Sequence, residues 1–151
     1  MLTNHWRGTA RTSPPLNSSL VAKENELMAS RRQRVVVVGA SSKQERYSNR
    51  ALRSLMTHGH EVVPVHPAAS SIEGLPVTHR IEDITGPVDT VTLYVSAKSS
   101  SALVESITHL SPNRVIFNPG AENPALQATL EKKGIHTEEA CTLVLLNTNQ
   151  F

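Results

Sequence analysis

Arg34-Val35-Val36-Val37-Val38-Gly39-Ala40-Ser41-Ser42-Lys43 decides the fold. The four valines form a short, wholly apolar, β-branched run, the pattern of a strand covered on both faces. Gly39 stops the run. A helical pattern then begins near Ser48, with Ala51, Leu52, Leu55 and Met56 on one face and Gly59 as its end. A buried strand that passes through a glycine turn into an amphipathic helix opens a parallel α/β unit.

The chain beyond repeats that alternation. Glu61 to Val65 reads as a second strand ended by Pro67, and a weaker stretch with Pro76 and Pro87 leads to a third strand, Thr90 to Val95. Ser99 or Ser100 is placed to cap a helix that turns Leu103, Val104, Ile107 and Leu110 inward. Arg114 to Phe117 is the fourth strand. Asn123 caps the next helix, Pro124 fits its first turn, Leu126 and Leu130 face inward, and Gly134 closes it. Ile135 to Thr137 is a fifth strand, and Glu139 to about Leu146 a last helix. The pattern predicts a Rossmann-like α/β domain over residues 34–151, a doubly wound sheet of about five parallel strands with helices on both faces.

Such a sheet holds its ligand beyond the carboxyl ends of its strands, where strand order reverses. That point follows the first strand. Gly39 lets the chain turn sharply, and backbone N–H groups near the start of the next helix can face an anion. Ser41, Ser42 and Ser48 add hydroxyl donors, and Lys43, Arg46 and Arg50 add positive charge against Glu45 alone. The constellation suits a diphosphate. It is neither G-x-G-x-x-G nor a P-loop. The second strand ends Val63-Pro64-Val65-His66-Pro67, without the Asp or Glu that usually holds the ribose of NAD. A plain NAD site is therefore disfavoured, and His66 tolerates a phosphorylated ribose better.

Residues 1–33 read differently. They are rich in Ser, Thr and Asn, carry Pro14 and Pro15, and show no sustained apolar period, so they are expected to form a flexible N-terminal extension. Arg7 and Arg11, with no acid before Glu24, faintly suggest an organellar presequence, but an upstream start with Met28 as the working start is the favoured reading. No continuous apolar segment marks a secretory signal.

The totals narrow the function classes. A length of 151 residues suits one domain. A net charge of +2, one short basic run at Arg31-Arg32-Gln33-Arg34, and few aromatic residues (one Trp, two Tyr, two Phe) give no footprint for nucleic acid. Cys141 is the single cysteine, which excludes an internal disulfide and fits a reducing compartment. No stretch is apolar for long enough to cross a bilayer. A cytoplasmic protein that engages neither membrane nor nucleic acid is expected.

Several segments resemble the CoA-binding domain family, small stand-alone Rossmann proteins related to the nucleotide-binding domain of succinyl-CoA synthetase. They are Val37-Val38-Gly39-Ala40-Ser41, Arg46 to Asn49, and His58-Gly59-His60-Glu61-Val62-Val63-Pro64-Val65-His66-Pro67. The likeness continues through Val88 to Val95, Phe117-Asn118-Pro119-Gly120 and Ala140 to Val144. The resemblance implies binding of CoA or an acyl-CoA. By position, Gly39, Ala40, Ser41, Arg46 and Ser48 would hold the diphosphate; Ser42 and Lys43, from the chemistry of the loop, and Asn49, from the matching Arg46 to Asn49 segment, join them as candidate ligand-binding residues. Pro64, His66 and Pro67 would border the adenosine. Tyr94, Ser96, Asn118, Pro119 and Gly120 would form the far wall. Many relatives carry a basic residue after Asn-Pro here, whereas this chain has His66-Pro67-Ala68, which implies a weaker grip on the 3′-phosphate.

Other chemistry is sparse. Cys141, near the start of the last helix, is the only thiol nucleophile, but its apolar neighbours Ala140, Leu143, Val144 and Leu145 favour a packing role. His58 and His60 form H-x-H with nothing to complete a metal set, so no metal is expected. Glu105, Glu122, Glu138 and Glu139 read as solvated charges or helix-start residues. The chain has room for neither a phosphohistidine domain with an ATP-grasp partner nor a dehydrogenase substrate domain. It reads as a binding module without complete catalytic machinery: a carrier, sensor or regulator, and possible as a homodimer. An NAD(P)-binding redox-sensing module and a small enzyme using Cys141 stay open as alternatives.

Overall fold

The computed structural model describes residues 18–151. The reading of Arg7, Arg11, Pro14 and Pro15 lies outside that range. The chain divides into two compact units, one ending at Arg31 and one spanning Arg32–Phe151. In the first, Ser18–Arg31 forms a helix, α1, that the apolar pattern does not predict. Ala22, Lys23, Glu24, Glu26 and Leu27 are all strong helix formers, so local propensity favours a helix where no apolar stripe announces one. Leu20, Val21 and Leu27 are exposed.

The second unit is the parallel α/β domain. Its main sheet contains β1 (Arg34–Val38), β2 (Glu61–Val65), β5 (Thr90–Leu93), β6 (Arg114–Phe117) and β7 (His136–Glu139), in the order β2-β1-β5-β6-β7. Every pairing is parallel; across the centre, Val36 lies opposite Val63 on one side and Val91 on the other. Because side chains alternate, Val36 and Val38 join Val91, Leu93, Val115 and Phe117 in one core. Helices α4 (Val104–Leu110) and α5 (Pro124–Lys132) cover that face with Ile107, Leu126 and Leu130. Val35 and Val37 face the other way, onto Leu52 and Leu55 of α2 (Tyr47–Thr57) and Leu146 of α6 (Thr142–Asn147). The valine run is thus covered on both faces.

Where the structure departs from the pattern, a specific bond decides. β7 runs to Glu139, whose partner is Phe117, and Ala140 N–H donates to the Phe117 carbonyl at 3.1 Å. The ladder therefore claims Glu139, and α6 starts at Thr142 rather than Glu139. β5 stops at Leu93, and Ser96, not Ser99 or Ser100, caps the helix that follows. That helix is broken: a single turn α3 (Ala97–Ser100) and a 3₁₀ turn at Ser101–Leu103 precede α4. The weak stretch before β5 contains a hairpin of β3 (Ser71–Ile72) and β4 (Leu75–Pro76) and a 3₁₀ turn at Ile81–Asp83. Pro64 is tolerated because β2 is an edge strand, where a missing N–H costs no ladder bond; its carbonyl accepts the Thr78 N–H at 2.9 Å.

Candidate functional site

Chain direction creates the site. From β1 the chain crosses to β2 on one side, and β5 then takes the other side, so the loops after β1 and β5 part above the sheet. A cleft of about 760 Å³ opens there. Its first wall is Gly39, Ser41 and Lys43 after β1, with Arg46, Tyr47 and Ser48 at the start of α2. Tyr94, Val95 and Ser96 after β5 and Asn118 to Ala121 after β6 form the opposite wall, and Cys141 and Leu143 close it.

Gly39 sits where nothing larger fits. Its φ is +83°, and a β-carbon there would lie 2.9 Å from both the Tyr94 carbonyl oxygen and the Val95 Cγ1. The first wall touches the second at this point. Beyond it, the Ser41 hydroxyl accepts the Lys43 N–H at 3.1 Å, and the Lys43 carbonyl accepts the Arg46 N–H at 3.1 Å. Arg46 is the N-cap of α2 and contributes no side-chain cap. The first turn of an eleven-residue helix thus faces the cleft with its N–H groups uncapped by any side chain, flanked by the exposed cations Lys43 and Arg46.

The far wall is stiff. Asn118 is buried, donates to the Thr92 hydroxyl at 2.6 Å and the Leu93 carbonyl at 2.9 Å, and accepts the Thr142 N–H at 2.9 Å. Thr92 and Thr142 join their hydroxyls at 2.8 Å. The Tyr94 hydroxyl is buried without a hydrogen-bond partner among the described residues. Burial dominates its electrostatics and outweighs the Thr142 and Thr92 hydroxyls, which favour the ionised form. The phenol is pushed up to about 12. At the rim, the Glu122 carboxylate accepts the Gly120 N–H at 2.9 Å; the N–H groups of Glu122 itself and of Gly120 hold its carboxyl below the ordinary value.

With this geometry in place, comparison with known proteins is direct. Residues 33–147 match the family described as CoA binding domain. The chain belongs to that family. Membership associates this CoA-binding-domain protein with CoA in general terms. The uncharacterised protein YneT of Bacillus subtilis is 24% identical over 104 residues, 69% of this chain and 77% of its own. A crystal structure of an uncharacterised protein is 37% identical with a TM-score of 0.75, covering 80% of this chain and 98% of that one. The dinucleotide-forming acetyl-coenzyme A synthetase 1 of Ca. Korarchaeum cryptofilum, in complex with phosphate and ADP, shares the fold at 19% identity and TM-score 0.62, over 72% of this chain and 25% of that one.

Of the residues expected at the ligand, from the loop chemistry or from the family resemblance, the cleft of this CoA-binding domain gathers Gly39, Ser41, Lys43, Arg46, Ser48, Tyr94, Ser96, Asn118, Pro119 and Gly120, together with Cys141. The others lie elsewhere. Ala40 is buried, its N–H donating to the Val65 carbonyl at 3.2 Å. Ser42 is exposed outside the cleft, and Asn49 is buried behind the loop. Pro64 is buried within β2. His66 turns onto its own loop, its Nδ1 accepting the N–H groups of Ala68 at 3.0 Å and Ala69 at 2.8 Å, and Pro67 follows it outside the cleft. Glu138 is bound to Arg114 at 3.2 Å and Glu139 ends β7, so neither is a helix-start residue.

Tyr47, Val95, Ala121 and Leu143 also line the cleft, and the sequence reading gives none of them a ligand role. Only Tyr47 carries a signal, as an aromatic at the polar start of a helix; its side chain is exposed, with the Arg50 guanidinium 5.3 Å from the ring centroid. Among the described residues no group of three or more His, Cys, Asp or Glu side chains is placed to hold a metal, and no helix is long and apolar enough to cross a membrane.

Proposed function

We propose that the protein is a binding module for CoA or an acyl-CoA, acting as a carrier or sensor of that cofactor. The observation that carries this reading is the uncapped start of α2, which opens between Lys43 and Arg46 onto a cleft of about 760 Å³. The diphosphate lies against those N–H groups and cations, within reach of the Ser41 and Ser48 hydroxyls. Gly39, lacking a β-carbon, lets it approach the backbone. The pantetheine arm runs between the wall of Tyr94 to Ser96 and that of Asn118 to Ala121, a mixed polar and apolar surface suited to amides joined by methylenes. Its thiol or thioester end comes to rest near Cys141 and Leu143.

Thermal unfolding of the full chain with CoA, dephospho-CoA, NAD and NADP tests this. A ligand at ~100-fold its dissociation constant stabilises by about 2.7 kcal/mol. CoA and dephospho-CoA should both raise Tm, and the nicotinamide nucleotides should not. A shift with NADP alone would transfer the site to the redox-sensing reading.

A second reading draws on Cys141, which lines the cleft and is half-buried rather than sealed in the core. A small enzyme that attacks an acyl or nucleotide substrate would use this thiol. Rapid alkylation by iodoacetamide near neutral pH is what that reading requires, and labelling only after denaturation would dismiss it.

A further inference from the structure

The hairpin between β3 and β4 turns through Glu73 and Gly74, at φ +50° and +77°. A two-residue turn with both φ values positive favours Asn-Gly or Asp-Gly. Glutamate is a poor choice for the left-handed region on local grounds. Its side chain accounts for its presence there. Glu73 Oε1 accepts the Asn49 side-chain N–H at 3.0 Å and the Gln44 side-chain N–H at 3.4 Å.

Those bonds continue into the loop after β1. The same Asn49 amide group donates to the Ser41 carbonyl at 2.8 Å, and its oxygen accepts from Arg53 Nε at 2.8 Å. Arg53 Nη2 in turn donates to the Gln44 carbonyl at 3.1 Å. The segment from Ser41 to Gln44 is therefore gripped at both ends by side chains that do not line the cleft. Lys43 lies between the two grips.

We propose that Glu73 is a positioning residue for a nucleotide diphosphate: it locks Asn49 and Gln44 so that the Ser41–Lys43 backbone and the start of α2 are arranged before ligand arrives. This rests on reading the loop after β1 as the diphosphate cradle. Order that is present beforehand need not be created on binding, which raises affinity without a new contact. The charge of Glu73 works the other way. A carboxylate beside a cationic loop repels an anion, so charge alone predicts tighter binding once it is removed.

Two substitutions separate these effects. Glu73→Gln removes the charge and keeps an acceptor oxygen at the same reach. Glu73→Asn removes the charge and shortens the reach, while placing the favoured Asn-Gly pair in the turn, so the hairpin is kept. Calorimetric titration of CoA into the full chain should find the Gln variant equal to the original or up to about threefold tighter. The Asn variant should bind about tenfold more weakly, as expected for losing the hold of one or two hydrogen bonds, with an unchanged or higher Tm without ligand. An Asn variant that binds as well as the original, or a Gln variant that weakens equally, overturns the proposal. If the original chain takes up no CoA, the CoA reading fails by itself. The brace is then judged by hydrogen exchange of the 41–46 amides, faster in the Asn variant than in the Gln variant; equal rates overturn it.

Discussion

The side-chain oxygen of Asn118, at the end of β6, accepts the backbone N–H of Thr142 at 2.9 Å and so supplies the cap that Cys141 does not give to α6. The same amide donates to Thr92 and to the Leu93 carbonyl, which ties β5, β6 and α6 together under the cleft. Asn118→Ala leaves the buried Thr142 N–H unpaired, at about 1–3 kcal/mol, while Thr92 keeps Thr142 and the Leu93 carbonyl keeps the backbone N–H of residue 118. For the Arg32–Phe151 domain that is roughly 3–6 °C of Tm per kcal/mol, and thermal unfolding monitored by circular dichroism checks it. An unaltered Tm would show that Asn118 holds nothing.

Gly39 carries two requirements in one position. Alanine at φ +83°, with its β-carbon 2.9 Å from the Tyr94 carbonyl oxygen, should cost about 1–3 kcal/mol and press the two walls apart. Gly39→Ala is expected to lower Tm and to abolish CoA binding together. Chemical denaturation and a CoA titration on the same sample read both.

Much of this fold could be read from residues 34–38, 61–65, 114–117 and 123–134, because each carries its period and its stop signal within itself. The wholly apolar valine run says that both faces are covered, and Asn123-Pro124 marks a helix start without tertiary help; its side chain accepts the Leu126 N–H at 3.1 Å. The parts that escaped depend on distant partners. Glu139 belongs to a strand only because Phe117 lies beside it, and the β3–β4 hairpin is too short to show a period. The candidate site divides in the same way. Gly39, Ser41 and Arg46 follow from position after the first strand. The aversion of His66 from the cleft depends on bonds to Ala68 and Ala69 that no local pattern announces. Asn49 reads as a ligand residue by its place in the helix start, and in the structure both ends of its amide are bound within the protein.

At the opposite end of the sheet His60 Nδ1 accepts the Gln33 N–H at 3.0 Å, and its ring lies 5.0 Å from that of Phe151. Burial, then His58, then Arg114 lower its pKa below the ordinary 6.5. Between the lowered folded value and 6.5 the unfolded chain binds more protons, so stability rises with pH across that window and falls as pH drops from 6.5. Urea unfolding at pH 7.5 and at successive values below 6.5 should show a declining midpoint. His60→Gln should flatten that decline, and an identical slope in the variant would contradict the assignment.

The resemblance implies a weaker hold on the 3′-phosphate, since this chain has Ala68 where many members of the family it resembles carry a basic residue. CoA and dephospho-CoA should therefore bind within about threefold of each other, the scale of one solvent-exposed ion pair. Competition between the two on one sample measures the ratio. A preference of a hundredfold for CoA would point to a cation that the cleft does not reveal.

The central claim is that the start of α2 and Arg46 hold the diphosphate of CoA. Calorimetric titration of CoA into the full chain and into Arg46→Ala tests it most directly. The account predicts saturable one-to-one binding by the original chain. In the variant, loss of a charge-assisted bond should weaken it by roughly tenfold to a hundredfold, with Tm in the absence of ligand unchanged. Equal affinity for both proteins would place the ligand elsewhere, and no heat from either would contradict the account outright.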